Sequence, residues 1–495
     1  MIRYNSSVNR VVVLATLVAG ICAIFLQQFA THTLYGIDGH LHIRMAQFLR
    51  DLGPHYQFHW ARYSVFFDNF SDKDFLYHLM LIPFTWFKDI FFGAKIAAAL
   101  FASILFAVYA LMLNRYSDYR IRVFFMLAFF LSYPFCNFIS FARPMTVVLF
   151  LTLGFFHFAI IRKSSVVFII SMIYTLTHVT GPIMIFYAFI IEAVRYQHKR
   201  EFCVRMIAMA FFGVIAGFLI HPNFPANIRV FYLNSILVPL YCIKGSSIEF
   251  PSEFSPANTK YFIIAYPMVF FSIIYLMFAA VFNKVRTSFE TKVFFVLSLP
   301  FLALSMTGIR YAVHCYLILL LAVAGYITDS LKHKEKLSRF LISVMVILSL
   351  VLGANSFVKF KHGTRFNHAM NTHYERVANI FKEIVPEGEI IFHASWGDSP
   401  FFIGLNPKND YLVTLDPIYM YAWDPKFYYL YKNLVHGKTK DPYTIIKERF
   451  RTRYGYISIK VTTGIELYKQ IIKDKRFRIL YKDDLGVIFV IKNNE

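Results

Sequence analysis

Along most of this chain the apolar residues come in long runs, and the stretches between the runs hold most of the charge. A helix needs roughly 20 apolar residues to cross a hydrocarbon layer, and fewer where a bundle is thin or a helix is broken. By that measure about eleven spans are predicted, at 11 to 30, 93 to 113, 123 to 139, 144 to 161, 166 to 178, 182 to 194, 206 to 220, 261 to 281, 293 to 307, 311 to 328 and 340 to 357. The fifth and sixth are short and meet at Thr177-His178-Val179-Thr180-Gly181-Pro182, which reads as a broken pair.

After position 357 the pattern changes. Short apolar runs at Ile390 to Phe392, Tyr411 to Thr414, Tyr456 to Ile459 and Val487 to Ile491 read as strands, and Val377 to Ile384, Tyr443 to Phe450 and Leu467 to Ile472 read as helices. The expected organisation is a helical membrane domain over 1 to 357 and a small soluble α/β domain over 358 to 495. Two long polar-bearing loops, 31 to 78 and 221 to 260, interrupt the membrane pattern, and loops of that size are usually functional. In the first, Leu41, Met45, Phe48, Leu49 and Leu52 recur at helical spacing with Arg44, Gln47, Arg50 and Asp51 between them. That is an amphipathic helix, expected to lie along the membrane surface and to end at Gly53-Pro54.

Composition agrees with a membrane setting, since 57% of the 495 residues are hydrophobic and 19% aromatic. The first apolar run is longer than a signal-peptide core and reads as a retained helix. The formal charge of +22 would suggest nucleic acid if it formed a patch on a solvated domain, but the cations lie between apolar runs, so no nucleic-acid partner is expected. Alternate connections carry them: Arg3 and Arg10, then Arg115, Arg120 and Arg122, then Arg162 and Lys163. The pattern continues with Arg195, Lys199, Arg200 and Arg205, then Lys284, Arg286 and Lys292, then Lys332, Lys334, Lys336 and Arg339. The excess of Lys and Arg on the cytoplasmic side puts the N-terminus inside and both the long loops and residues 358 to 495 outside. The five cysteines have no paired spacing, which excludes a disulfide framework or zinc ribbon.

The polar residues of the outer side are the candidates for chemistry. Asp38, in Tyr35-Gly36-Ile37-Asp38-Gly39-His40, has two readings: a base or cation ligand at the membrane surface, or the cap of the helix that follows. His40 and His42 are candidate metal ligands, but two residues apart on a helix they point in different directions, so interfacial histidines are the alternative. Asp72 and Asp74 are either cation ligands or solvated loop charges. Arg143 and Arg310 are each the lone cation of a tight outer turn; guanidinium grips phosphate in two-pronged fashion, and the alternative is snorkelling to headgroups. His178 and His221, at outer helix ends, have the same two readings, and Arg62 stands in the first loop. No Walker A, GxGxxG, HExxH or GxSxG pattern occurs in a suitable context, so an ATP-driven pump or a serine or zinc hydrolase has no support.

One acidic residue early in a long first outer loop, an amphipathic helix beside it, many spans and an outer soluble domain together resemble the GT-C superfamily. These membrane glycosyltransferases include oligosaccharyltransferase catalytic subunits, protein mannosyltransferases and aminoarabinose transferases. The resemblance covers the whole chain in architecture and only a few residues in motif. It implies transfer of a sugar from a polyprenyl phosphate or diphosphate carrier to a lipid, glycan or protein acceptor on the outer face. Asp38 would then be the catalytic base or metal ligand, and Arg310 and Arg143, with His221, Arg62 and His178, would contact the carrier phosphate. A divalent cation, Mg or Mn, is implied as possible cofactor, with Asp38, His40, Asp72 and Asp74 as candidate ligands. Gly39-His40 departs from the second acidic residue or Asp-Pro-Tyr of several relatives, which bears on metal dependence. The alternatives are a lipid or glycan transporter, for which no inverted repeat is visible, and a non-catalytic envelope-assembly protein. Abundant lysine, unpaired cysteines and the lack of an organellar signal point to a bacterial inner membrane.

Overall fold

A computed structural model describes residues 6–256, 258–282, 286–332, 335–459 and 463–492. Arg3, Lys284 and Lys334 lie outside the described residues, as do the side chains of Lys336 and Arg339.

Four helices are long and apolar enough to cross a membrane among the described residues: Arg10–Gln28, Ile90–Tyr116, Ala226–Lys244 and Ile309–Leu331. Two bent pairs raise that to six, Tyr119–Ala128 with Tyr133–Ile139 at 75° and Thr259–Ala265 with Pro267–Met277 at 94°. The runs 123 to 139 and 261 to 281, each expected as one span, therefore break in the middle. In both cases a proline, Pro134 or Pro267, opens the second half, where its missing N–H costs nothing. Shorter apolar helices occupy Phe75–Trp86, Met145–Ile160, Ser164–Thr177 and Val204–Ile220. The segment 221 to 260 is not mainly irregular, since Ala226–Lys244 is helical. The run 340 to 357 belongs to a 50-residue helix, Glu335–Ile384, that passes position 357 unbroken and contains the predicted helix 377 to 384.

The chain then forms a five-stranded mixed sheet from β1 (Ile390–His393), β2 (Asp410–Tyr411), β3 (Tyr454–Ser458), β4 (Phe477–Lys482) and β5 (Gly486–Ile491), in the order β2-β1-β3-β5-β4. β1 runs parallel to β2 and β3, and β5 runs antiparallel to β3 and β4. Four strands coincide with predicted ones. The edge strand β4 was not predicted, because only Phe477 of its six residues is buried and no alternation results. The first long loop extends the sheet at β2: Tyr411 N–H donates to the Trp60 carbonyl at 2.8 Å, and Arg62 N–H to the Tyr411 carbonyl at 2.8 Å.

The amphipathic helix is Asp38–Leu52, and Gly53 ends it at φ +82°, donating its N–H to the Leu49 carbonyl. Its apolar face is covered by protein and not free for lipid. Gly39, His40, Leu41, His42, Ile43, Met45, Ala46 and Leu49 are all buried, because the helix is held between the bundle and the sheet region. Leu41, Met45 and Leu49 share one core with Phe58, Trp60, Phe401, Phe402 and Tyr411. Contact with helix Ser399–Leu405 is close enough that a Cβ on Gly404 would stand 2.6 Å from the His40 Cβ and 2.7 Å from its carbonyl group.

Candidate functional site

Seven segments far apart in sequence bring their polar groups to one cavity of about 380 Å³. The first helix of the loop supplies Asp38 and His42, one turn apart, and the segment before Phe75–Leu81 supplies Lys73 and Asp74. Arg143 comes from the turn between Tyr133–Ile139 and Met145–Ile160, His178 from the end of Ser164–Thr177, and Glu253 and Arg310 from two short 3₁₀ turns. The sheet region adds Asp416.

Asp38 does not cap its helix. The N-cap residue is Ile37, without a side-chain hydrogen bond, and Asp38 Oδ2 instead lies 2.8 Å from Arg143 Nη2. Glu253 links the two arginines, with Oε1 3.3 Å from Arg310 and Oε2 3.9 Å from Arg143. Each guanidinium also covers an aromatic face, Arg143 that of Phe141 and Arg310 that of Phe254. Asp38, Arg143, Glu253 and Arg310 thus form a line of alternating charge along the cavity wall.

The other charges of the cavity are less evenly matched. Lys73 makes no ion pair or hydrogen bond among the described residues, and Asp74 Oδ1 is buried without a hydrogen-bond partner. Burial pushes Asp74 up to about 6, against the pull of Lys73 and His78, and pushes Asp416 up to about 6. Burial works against the Lys73 charge too, but Tyr419, Asp74, Asp38 and Asp416 around it hold its pKa above the usual lysine value. For Glu253 burial acts upward and is outweighed by Arg310, Arg143 and Lys73, so its carboxyl stays below the usual range. His178 Nε2 stands 4.0 Å from Asp74 Oδ1.

The remaining candidates lie elsewhere or face away. Arg62 is exposed at the sheet edge with its guanidinium over Phe67, and His221 is turned to the Asp72 carbonyl, 2.9 Å from Nε2. His40 is buried between the rings of Phe91 and Phe401, and is no interfacial residue. Asp72 is buried, not solvated: its Oδ2 is 2.7 Å from His78 Nδ1 and its Oδ1 accepts the Asp74 N–H, while His78 Nε2 is 2.8 Å from His42 Nδ1. Asp38, His40, Asp72 and Asp74 are therefore not gathered at one point. No three His, Cys, Asp or Glu side chains form a metal-binding group among the described residues. At the Asp38 carboxylate the neighbouring charge is the Arg143 guanidinium.

Sequence reasoning missed Glu253 and Lys73 as site residues. Glu253 had one signal, being with Glu249 one of two acids in 221 to 260.

No family model matches the sequence, and no curated protein matches it. Solved structures match over nearly the whole chain. ArnT from Cupriavidus metallidurans bound to undecaprenyl phosphate aligns with a TM-score of 0.59 at 11% identity, covering 96% of this chain and 97% of that one. The apo state of the same protein gives 0.59 at 12%, covering 98% of each. The arabinofuranosyltransferase AftD from Mycobacteria gives 0.50 at 13%, covering 97% of this chain and 40% of AftD. The chain shares the fold of ArnT and AftD, in line with the resemblance, and among its described residues four helices, or six with the bent pairs, are long and apolar enough to cross a membrane.

Proposed function

We propose that this GT-C fold is a membrane glycosyltransferase that takes a sugar from a polyprenyl phosphate or diphosphate carrier and passes it to an envelope acceptor. The observation that carries this reading is the cavity wall on which Asp38 is paired with Arg143 while Arg310 and Lys73 stand nearby. In support, the ArnT structure with this fold holds undecaprenyl phosphate.

A phosphate entering such a cavity competes with the carboxylates for the cations. It draws Arg143 and Arg310 off Asp38 and Glu253, with Lys73 as third contact, and a guanidinium meets phosphate with two parallel hydrogen bonds. Asp38 is then free to take the proton of the acceptor hydroxyl or amine. The acceptor atom forms its bond to the anomeric carbon as the carbon–oxygen bond to phosphate breaks. The charge released on the phosphate oxygen is met by the three cations, which are already in place before the reaction. His178 and Asp416 flank the acceptor side. The reaction faces the side of the sheet region, which we assign to the periplasm of a bacterial inner membrane on the distribution of Lys and Arg.

Transfer of a labelled sugar from a polyprenyl phosphate donor, in membranes matched for expression, tests this. Asp38→Asn is expected to lower transfer by roughly 10²- to 10⁴-fold, the usual contribution of a general base. Equal transfer by both proteins would remove Asp38 from the chemistry. Absence of transfer by the unaltered protein, with net movement of the lipid across the membrane, would favour a transporter. Since Arg143 serves where a cation would, transfer is expected to survive dialysis against a chelator, and dependence on added Mg or Mn would contradict this arrangement.

A further inference from the structure

A second, larger cavity lies away from this site, in a groove of about 800 Å³ between Arg10–Gln28, the bent pair Tyr119–Ile139 and the long helix Glu335–Ile384. Its walls are apolar and partly made of small residues, among them Ala23, Ala30, Leu127, Leu131, Gly353 and Phe357. Leu26 and Phe357, on the same walls, are 75% and 71% exposed, so the groove opens sideways toward lipid and not into the protein. One end differs. Lys361 and Arg365, four residues apart on one helix face, both line it, and neither has an ion-pair or hydrogen-bond partner among the described residues.

The dimensions fit a single occupant. From Gly353 to Arg365 the long helix rises roughly 18 Å at about 1.5 Å per residue. That is close to one leaflet of a hydrocarbon core about 30 Å thick. An apolar slot one leaflet deep, closed at its end by two unpaired cations, complements an acyl chain with an anionic headgroup. We propose that this groove binds one anionic membrane phospholipid in the leaflet on the side of the sheet region, its phosphate between Lys361 and Arg365 and a chain against Gly353 and Leu127.

Position gives the lipid a consequence. Tyr35 OH reaches the Gln27 carbonyl at 3.2 Å and Thr364 Oγ1 at 3.1 Å, and both Gln27 and Thr364 line the groove. Asn367, two residues beyond Arg365, takes the Gly36 N–H at 3.0 Å and donates to the Leu34 carbonyl at 2.6 Å. The headgroup end therefore backs onto the strap that leads to Asp38, and an occupied groove steadies that strap. The inference stands apart from the glycosyltransferase reading and does not require it.

Native mass spectrometry of the detergent-solubilised full chain, titrated with phosphatidylglycerol or with phosphatidylcholine of the same chains, tests the proposal. One phosphatidylglycerol is expected to bind roughly 30-fold more tightly than phosphatidylcholine, the factor for two cations at about 1 kcal/mol each. The double variant Lys361→Gln with Arg365→Gln, both on an exposed face, should bring the two lipids within about 2-fold. Lys359→Gln, on the same helix but outside the groove, should leave the preference intact. Equal preference in wild type and double variant would overturn the assignment, since the cations would then only meet bulk headgroups. Failure to retain either lipid would overturn the groove itself as a binding site.

Discussion

A carboxylate withdrawn from water keeps its charge only when fixed partners replace the water it has lost. Glu253, partly exposed and with two guanidinium partners, is held below the usual carboxylate range, whereas the buried Asp74 and Asp416 are pushed to about 6. Asp398, in the sheet region, is the most shifted: burial pushes it up to about 7, and although Tyr374 OH donates to Oδ1, Oδ2 is buried with no partner. The stability consequence has a definite sign. The unfolded carboxyl, at its ordinary 3.8, ionises first on raising the pH while the folded one keeps its proton. The fold therefore loses stability between about pH 4 and 7 and carries the full cost above that window. At about 1.4 kcal/mol per pH unit the upper limit is ~4 kcal/mol. Asp398→Asn is expected to unfold at higher temperature than the unaltered protein at pH 8, by the equivalent of about 1 to 3 kcal/mol, with the gap closing toward pH 4. Thermal unfolding in detergent across that range is the measurement, and a gap that grows on acidification would refute it. Site residues divide the same way in legibility. Asp38, Arg143, Arg310 and His178 stood out as polar residues at the ends of apolar runs, where a charge without partner is expensive. Glu253 and Lys73 sit in polar stretches, so only the tertiary approach of the seven segments marks them.

At the level of elements, the decisive contact is a glycine. Helix Ser399–Leu405 reaches the loop helix Asp38–Leu52 at Gly404, whose missing Cβ leaves room for the His40 backbone, and Arg44 Nε donates to the Gly404 carbonyl at 2.9 Å. Gly404→Ala would put an atom 2.7 Å from a carbonyl carbon that cannot swing aside as a side chain does. The expected cost is about 1 to 3 kcal/mol of overpacking, with a larger proportional loss of transfer because the displaced helix carries Asp38. Gly397→Ala, whose Cβ would find nothing closer than 3.5 Å, is the control and should leave both unchanged. Comparable losses in the two variants would show that the contact has no special role. The loop helix itself was legible, including its end at Gly53, because apolar spacing and cap chemistry are local. Its burial was not, because the second apolar partner, Phe401 with Phe402, lies more than three hundred residues further along. Likewise the runs 123 to 139 and 261 to 281 looked like single spans, since hydropathy sums over a window and does not register the bend that opens at Pro134 or Pro267.

On the scale of the whole molecule, one asymmetry bears on which side of the membrane the cavity faces, and so on the proposed carrier. The connection through Arg162 and Lys163, the turn through Lys199 and Arg200 and the segment through Arg286 and Lys292 concentrate cations with few acids among them. The turns that carry Arg143 and Arg310 instead share their charge with Asp38 and Glu253. An excess of Lys and Arg over a short connection resists translocation, whereas the cations at the cavity are matched by acids, so the first group sets orientation. The sheet region joins the second group through the unbroken helix Glu335–Ile384 and the cavity contribution of Asp416, which places both on one side. In a variant without its natural cysteines, a cysteine replacing exposed Lys440 is expected to react with a membrane-impermeant maleimide in intact spheroplasts, and one replacing Arg286 only after permeabilisation. The reverse pattern would turn the active cavity toward the cytoplasm, where a soluble nucleotide-linked donor competes as the sugar source. It would then overturn the polyprenyl reading even if Asp38→Asn abolished transfer.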